Sequence, residues 1–469
     1  MQIKFCGAAK TVTGSSHLLI LNDGYKILLD CGMFQGKDTL NGTINVNQAF
    51  LFDPKEIDVM ILSHAHIDHS GRIPKLVHDG FKGKIYCTPA TSDLSKIMLL
   101  DSAHIQENDA KFLSKRNKKK GLPEEEALYT PEDVASAIEL LTTVDYEKTF
   151  SIRNDVSFFF RDNGHLIGSG SVNLTIKEGN NTVTLGFTGD IGRPNRPILK
   201  DPIPMPACDY LITESTYGGR LHEAFPDDKE HLLQVIKDTI ELKKGKVIIP
   251  AFSVGRTQEI VYMLDQLNKD GKLSHVPVYV DSPLSTNATE IYRRHPECFD
   301  EELHKYMMTD PNPFGFNDLT YITQVDESKK LNDLGTPCII ISASGMAEAG
   351  RIVHHIFNHI EDPNCTILIV GYCAENTMGA HLRDGAKTVH IFGELKHVKA
   401  HIEVMDSFSA HGDQKEMLEF LNPLDRNKLK QIFIVHGDNE NQAAFKDALS
   451  KNKFNNISIP AKGDVVDIH

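Results

Sequence analysis

The stretch His64-Ala65-His66-Ile67-Asp68-His69 places three imidazoles and one carboxylate within six consecutive residues. The residues just before it, Asp58 to Leu62, are mostly apolar and predict a short buried strand, and Arg72 to Val77 have helical spacing. In extended chain the first two histidines point to the same side, whereas the aspartate and the third histidine fall where the strand turns into the helix. This pattern is typical of a site for two neighbouring divalent metals.

The composition around this stretch is that of an ordinary globular protein. The chain has 469 residues, enough for two domains, of which 40% are hydrophobic and 24% charged. No apolar run approaches the roughly 20 residues of a membrane span. The first twenty residues contain Lys4, Lys10 and His17 and predict short strands rather than a signal peptide. The eight cysteines are scattered without a CxxC motif, which favours a reducing, cytoplasmic location.

Charge gives weaker guidance. With 50 basic and 64 acidic residues the net charge is −14, which argues mildly against a protein that coats nucleic acid, although the local field matters more. One basic stretch, Lys111 to Lys120, contains six lysines and arginines and is followed by Glu124 to Glu126. We interpret it as a solvated loop or helix end rather than as a nucleic-acid contact.

Polar residues repeatedly follow short apolar runs along the chain. Because sites in layered α/β folds form at the carboxyl ends of strands, this regularity predicts one shared active-site face. The residues in such positions are Asp30, His64, Asp190, Glu214, Ser253, Ser342 and His436.

Two changes of pattern predict three segments. Residues 1 to about 190 contain paired short strands and polar turns, whereas residues 209–395 alternate strands with amphipathic helices, as a parallel sheet does. The proline-rich stretch Pro194 to Pro206 and the region around Gly393-Glu394 mark the boundaries. The segments are therefore 1–208, 209–395 and 396–469.

The metal-type residues occur in an order that resembles the motifs of the metallo-β-lactamase superfamily: Asp30, the motif at 64–69, His165 and Asp190. The contexts Gly164 to Ser169 and Phe187 to Asp190 also look like that family's. The resemblance implies an αββα sandwich formed by the first and last segments, with a two-zinc site between its two sheets.

Three later segments look like motifs A, B and C of the β-CASP branch of this superfamily. Motif A is Thr213 to Tyr217 and contains Glu214, motif B is Gly379 to Leu382 and contains His381, and motif C is Phe408 to Asp413 and contains His411. Segments 249–256 and 342–346 also resemble this branch. The fold class expected is therefore α/β, with a β-CASP domain inserted at 209–395. In this branch a histidine in motif C accompanies RNA substrates, so His411 favours RNA over DNA.

The resemblance also implies a cofactor and its ligands. Two Zn²⁺ ions per chain are expected, with Mn²⁺ or Fe²⁺ as alternatives. The implied ligands are His64, His66 and His165 for one ion, Asp68, His69 and His411 for the other, and Asp190 for both. Asp30 is expected to orient the site without binding metal.

Cleavage of a phosphodiester needs a nucleophile, neutralised phosphate oxygens and a proton for the leaving oxygen. Metal ions supply the first two. His381, held and kept protonated by Glu214, is the predicted general acid. With Asp68 and Asp30 these two residues form the predicted catalytic set. The resemblance implies 3′-hydroxyl and 5′-phosphate products.

Several further residues are candidates for binding neighbouring phosphates, since small polar residues at strand–helix turns suit anions. They are Ser253, Arg256, Ser342, Ser344 and His436. Turn formation and helix capping explain them equally well. We interpret His354, His355 and His359 as surface histidines rather than as a third metal site.

The function predicted is that of a metal-dependent ribonuclease acting on single-stranded RNA, with no membrane partner and with a homodimer left open. The chain shows no counterpart of the extra C-terminal domain of ribonuclease J or of the N-terminal RNA-binding domains of archaeal relatives, which favours endonucleolytic cleavage. The alternatives are a 5′-exoribonuclease, a DNA nuclease, a thioester, lactone or β-lactam hydrolase, and a non-catalytic RNA-binding scaffold. The filled ligand positions disfavour the scaffold.

Overall fold

The computed structural model describes residues 1–41, 44–121, 123–222, 228–273, 275–371, 373–374, 376–405 and 409–469. The chain divides into two compact units. The first unit combines Met1–Leu221 with His411–His469, and the second is His222–Ala410. Phe408 of the predicted motif C lies outside the described residues. The predicted domain boundaries at 208/209 and 395/396 stay a prediction.

The first part of the first unit is rich in strands. Its strands are β1 (Gln2–Gly7), β2 (Ser16–Ile20), β3 (Lys26–Leu29), β4 (Leu40–Asn41), β5 (Ile44–Asn45), β6 (Val59–Ile61), β7 (Lys84–Cys87), β8 (Leu141–Thr143), β9 (Phe150–Arg153), β10 (Val156–Asp162), β11 (Gly170–Glu178), β12 (Asn181–Phe187) and β13 (Tyr210–Thr213). Its helices are α1 (Ile67–Ser70), α2 (Ile73–His78), α3 (Pro89–Lys118) and α4 (Pro131–Ile138). The basic stretch forms the exposed end of α3, as predicted.

The second unit alternates strands and helices. Its strands are β14 (Val247–Pro250), β15 (Val278–Asp281), β16 (Leu319–Ile322), β17 (Ile339–Ser342), β18 (Thr366–Val370), β19 (Thr388–Ile391), β20 (Glu394–His397) and β21 (His401–Met405). Its helices are α5 (Asp228–Ile236), α6 (Arg256–Lys269), α7 (Pro283–Arg294), α8 (Glu301–Met307), α9 (Val325–Asp333), α10 (Arg351–His359) and α11 (Met378–Arg383).

The chain then returns to the first unit. The returning segment forms α12 (Gln414–Leu421), β22 (Gln431–Ile434), α13 (Asn439–Lys451), β23 (Ile457–Ser458) and β24 (Val465–Asp467). Short 3-10 helices lie at Gly36–Thr39, Val46–Gln48, Pro54–Glu56 and Pro296–Cys298, and a π-helix at Lys237–Leu242. None of the described helices is both long and apolar enough to cross a membrane.

The first unit is a four-layer sandwich. Its sheets have the strand orders β24-β1-β2-β3-β6-β7-β8 and β23-β22-β13-β12-β11-β10-β9. Alternate residues of β10 are buried, as expected for a strand with one face in the core. Apolar side chains of both sheets, such as Phe5 and Phe158, meet in one cluster. Helices α2, α3 and α4 cover the outer face of the first sheet, and α12 and α13 that of the second. The predicted αββα sandwich is confirmed.

The second unit is built on a parallel sheet with the order β16-β15-β17-β14-β18-β21. Its inner strands β14, β17 and β18 are buried along their whole length. Continuous apolar strands of this kind are typical of parallel sheets that are covered on both faces.

Candidate metal centre

Strand ends bring the centre together within the first unit. Strands β12, β13 and β22 are parallel neighbours, so Asp190, Glu214 and His436, which follow them, emerge at one edge of the second sheet. In the first sheet β3 and β6 are parallel, and Asp30 and His64 follow them. The predicted common face therefore exists for these five residues, while Ser253 and Ser342 belong to the second unit.

The motif at 64–69 is fixed by the backbone around it. Helix α1 begins directly after His66, which places Asp68 in its first turn. The carbonyl of Asp68 accepts a hydrogen bond from the Ser15 amide at 2.8 Å. A Cβ atom at Gly32 would lie 1.6 Å from the same carbonyl oxygen, so only glycine allows this close approach.

One cluster contains the ligands predicted for the first ion: His64, His66, His165 and Asp190. Nδ1 of His66 lies 3.1 Å from Nε2 of His64 and 3.1 Å from Nε2 of His165. Oδ2 of Asp190 lies 3.5 Å from the Nε2 atoms of both His64 and His165. Three imidazole nitrogens and a carboxylate oxygen thus face one small volume.

A second cluster contains Asp68, His69 and His436. Nε2 of His436 lies 3.1 Å from Nε2 of His69 and 3.3 Å from Oδ2 of Asp68. Oδ1 of Asp190 lies 3.1 Å from Nε2 of His69, so the two oxygens of one carboxylate face the two clusters. The structure therefore places His436, and not the predicted His411, beside Asp68 and His69.

His411 lies beside Glu214 instead. Its Nδ1 is 3.3 Å from Oε1 of Glu214, and its Nε2 is 3.9 Å from Oδ2 of Asp190. The Gly412 amide donates to the Ile191 carbonyl at 2.8 Å, which fixes His411 against the segment that carries Asp190. The structure thus groups His436, a predicted phosphate-binding residue, with the metal-type residues. It brings His411, a predicted metal ligand, beside Glu214, the predicted partner of His381.

Three of the ring nitrogens that face away from the two clusters, those of His69, His64 and His436, have partners of their own. Asp30 accepts from Nδ1 of His69 at 2.6 Å, from the Ser63 amide at 2.8 Å and from the Ser63 hydroxyl at 2.9 Å. Asp30 thus lies behind the ligand rings, and its orienting role stays a prediction. The Ser63 hydroxyl also lies 3.1 Å from Nδ1 of His64, and Oγ1 of Thr216 lies 3.0 Å from Nδ1 of His436.

Ser63 and Thr216 were missed by the sequence analysis. Ser63 directly precedes His64, and Thr216 lies within motif A, and these positions were the only local signal. Partners of this kind fix the tautomer and the orientation of a metal-binding histidine.

Thr216→Val is expected to weaken binding of one metal ion by about 10- to 100-fold, because it removes the acceptor that orients His436 without changing the side-chain volume. The ion held by the other cluster should bind as in the native chain. Metal per chain, measured against a series of competing chelators, checks this. Thr216→Ser is the control that should restore both affinities, and unchanged binding in Thr216→Val would contradict the role.

The donor set fits divalent metal ions. Oδ1 of Asp190 is buried and has no hydrogen bond of suitable geometry among the described residues, although His69 is near. Burial lowers the pKa of His64 to about 3 and that of His66 to about 4, so both rings are neutral and offer lone pairs. Burial likewise puts the pKa of His165 well below its usual value. Neutral imidazoles that converge on one small volume are ligands for a divalent ion, since a metal binds histidine in its neutral form.

In the second cluster the pKa values of the histidines are raised rather than lowered. Burial acts to lower the pKa of His69, but the carboxylates of Asp190 and Asp30 outweigh it and raise that pKa well above its usual value. The pKa of His436 is raised in the same way by Asp190 and Asp68. Without a bound cation the buried carboxylates hold protons on these rings, and a divalent ion would replace those protons.

His411 belongs to the same electrostatic system. Burial opposes its charged form, yet Glu214 and Asp190 raise its pKa to about 9. The carboxylate of Glu214 also accepts hydrogen bonds from the amides of Ile191 and Thr216. The two carboxylates therefore favour the protonated form of the His411 ring, and Glu214 holds it in place.

The other predicted residues lie in the second unit. His381 is in α11 and is exposed. Among the described residues it belongs neither to the two clusters above nor to the third group of metal-type residues, Asp190, Glu214 and His411. The Ser342 hydroxyl donates to the Asp281 carbonyl, and the Arg256 guanidinium pairs with Glu259. These two side chains stabilise the unit itself.

Ser344 and Ser253 are similarly engaged. The Ser344 hydroxyl accepts from the amides of Glu348 and Ala349, and the Ser253 hydroxyl lies 3.4 Å from that of Ser282. The contacts of Ser344 lie within its own turn, whereas Ser253 contacts Ser282, the residue that caps α7.

The histidines of α10 correct a prediction. His354 is exposed, but His355 and His359 are buried, since residues four apart share one helix face. Nε2 of His355 lies 2.7 Å from Oδ2 of Asp281, and Nε2 of His359 accepts from Lys246 at 3.0 Å. The interpretation as surface histidines is wrong for these two.

Comparison with known families agrees with this centre. Residues 11–251 match the model of the metallo-β-lactamase superfamily, and residues 257–382 match the β-CASP domain. The chain belongs to the β-CASP branch of the metallo-β-lactamase superfamily. Residues 396–460 of this β-CASP protein match the zinc-dependent metallo-hydrolase RNA specificity domain, and this region contains both His411 and His436. The family and the histidine–aspartate clusters imply a divalent metal cofactor.

Curated relatives are similar over most of the β-CASP chain. Ribonuclease TTHA0252 of Thermus thermophilus is 35% identical over 90% of each chain. An RNase J-like protein of Methanocaldococcus jannaschii is 32% identical, again over 90% of each. Transcription termination factor FttA of Methanosarcina mazei is 31% identical over 90% of this chain, which spans only 64% of FttA.

Proposed function

We propose that this β-CASP protein is a metal-dependent ribonuclease that hydrolyses phosphodiester bonds of single-stranded RNA. The observation that carries the proposal is the pair of metal-type clusters joined by the two oxygens of Asp190, with the His411–Glu214 pair beside them. The match to an RNA specificity domain and the names of two relatives support RNA as the substrate.

Two divalent ions per chain are proposed, with zinc as the first choice and manganese or iron as alternatives. His64, His66 and His165 would hold one ion, and Asp68, His69 and His436 the other, with Asp190 between them. Bound there, the ions would polarise a phosphoryl oxygen and make water a nucleophile at neutral pH. Asp30, Ser63 and Thr216 hold the ligand rings in the required orientation.

His411 is the proposed general acid. Its side chain is 21% exposed, so a substrate can reach it, whereas the side chain of Glu214 is 1% exposed. Glu214 fixes the imidazole through Nδ1, keeps it charged, and leaves Nε2 directed toward the centre. From there the ring can donate a proton to the leaving oxygen. His381, the acid predicted from the sequence, is the rival for this role.

The finer points of the function are also proposals. Endonucleolytic cleavage with 3′-hydroxyl and 5′-phosphate products remains the proposed mode. A reducing, cytoplasmic compartment fits the eight cysteines, which are buried free thiols in the described structure. A homodimer is left open.

The native chain, loaded with zinc or manganese, is expected to cut 5′-labelled single-stranded RNA at internal positions and to cut DNA of the same sequence far more slowly. A gel of the labelled products distinguishes internal fragments from released mononucleotides. Equal rates on RNA and DNA would contradict RNA specificity. Turnover of a thioester or β-lactam without nuclease activity would contradict the ribonuclease itself.

A further inference from the structure

The sheet of the second unit has a topological switch point. Strands β14 and β18 are neighbours in this sheet. The next strand of the sheet after β14 is β15, which lies toward one edge, and the next after β18 is β21, which lies at the opposite edge. In open parallel sheets a crevice forms between two such strands at their carboxyl ends, and ligands bind there. The residues that follow β14 therefore lie at the favoured position for a ligand of this unit.

An exposed aromatic ring occupies that position. Phe252 follows β14 by two residues and is 40% exposed. A methyl group added at Gly345 would lie 2.7 Å from Cδ2 of this ring, so the ring rests against the Gly345 backbone. The Phe252 carbonyl accepts from the amide and the hydroxyl of Thr257, which fixes the backbone that carries the ring. The ring is thus supported by the Gly345 loop and partly exposed to solvent.

The polar groups nearby are engaged within the fold. Arg256 is buried and paired with Glu259, and the hydroxyls of Ser342 and Ser344 contact the backbone of their own unit. A ring held in this way matches the flat face of a nucleobase better than it matches a phosphate.

We propose that Phe252 is a stacking platform for one nucleobase of single-stranded RNA. This inference rests on the proposed ribonuclease function and adds to it a base-contacting residue in the second unit. Aromatic stacking holds single strands with little sequence preference, because every base offers a π-face. The contact would therefore favour unpaired RNA without selecting a sequence.

Phe252→Leu is expected to weaken binding of a fluorescein-labelled phosphorothioate RNA of about 12 nucleotides by roughly 5- to 150-fold. Fluorescence anisotropy with the metal-loaded chain measures this change, since the phosphorothioate linkages slow cleavage. Phe252→Tyr should bind as the native chain does, because the ring is kept. The matched control is Phe392→Leu, which removes a 58% exposed ring from the β19–β20 hairpin of the same unit and should change nothing.

An oligomer with abasic sites at every position provides a second, independent measurement. The native chain should bind this oligomer more weakly than it binds the intact RNA. Phe252→Leu should bind the two oligomers with nearly equal affinity, because the ring and the base act as one pair. Native-like RNA affinity of Phe252→Leu, in a chain that binds and cuts RNA, would overturn the stacking role alone. Failure of the native chain to bind or cut RNA would overturn the proposed function as well.

Discussion

Asp190→Asn is expected to remove most of the bound metal and to slow RNA cleavage on the order of 10⁴-fold, as loss of a member of a catalytic triad does. Within the part of the chain that the structure describes, the carboxylate of Asp190 faces both clusters, with Oδ2 3.5 Å from His64 and Oδ1 3.1 Å from His69. A neutral amide cannot balance two divalent ions. Elemental analysis of the chelator-free protein and cleavage of labelled RNA measure the two losses.

Asp162→Asn is the matched control for this change. Asp162 is also a buried carboxyl at a strand end of the first unit, but burial raises its pKa to about 7, so a neutral side chain is tolerated there. Its Oδ1 accepts from the Gly164 amide and does not belong to the clusters found among the described residues. Asp162→Asn should keep its metal and its activity. Native metal content in Asp190→Asn would contradict the bridging role.

His411→Ala is expected to slow RNA cleavage by about 10²- to 10⁴-fold, the usual contribution of a positioned general acid, and to leave metal content unchanged. Glu214→Gln should act in the same direction, because it removes the charge that holds the proton on His411. The double variant should be little slower than His411→Ala alone, since the two residues act as one unit. Steady-state cleavage rates and elemental analysis measure these effects.

A substrate with an activated leaving group separates the acid from its rivals. A nitrophenyl phosphodiester needs no proton on departure, so His411→Ala should hydrolyse it almost as fast as the native chain does. Loss of metal in His411→Ala would instead support His411 as a metal ligand, as the sequence analysis predicted. A large effect of His381→Ala on RNA cleavage, with none from His411→Ala, would return the acid to His381.

Much of the centre could be predicted from local sequence. The motif at 64–69 defines its own geometry, because two histidines at alternate positions of extended chain and two ligands in the first helical turn need no distant information. His165 and Asp190 follow from their order after that motif. The structure brings both beside His64 and His66, as expected.

Local sequence could not predict which of His411 and His436 lies beside Asp68 and His69. Each histidine is followed by Gly-Asp, and in both cases that aspartate caps the next helix, α12 or α13. What distinguishes them is strand pairing. His436 follows β22, the parallel neighbour of β13, whereas His411 forms an isolated bridge with Gly192. Strand pairing between residues so far apart in the sequence cannot be predicted from a local pattern.

The same limit applies in the second unit. Serines at strand ends can cap helices or bind anions, and composition does not separate the two uses. Phe252 was visible only as part of an apolar segment, because its exposure depends on the neighbouring Gly345 loop and on the order of the strands.

The most direct test of a two-metal ribonuclease is a metal titration of the native chain, with Asp190→Asn measured beside it. Zinc or manganese is added in steps to chelator-treated protein, and cleavage of 5′-labelled single-stranded RNA is followed at each step. We predict that cleavage rises until two ions per native chain are bound, and that Asp190→Asn stays slower than the native chain by on the order of 10⁴-fold throughout. Full RNA cleavage by the chelator-treated native chain, or no cleavage at any metal content, would contradict this.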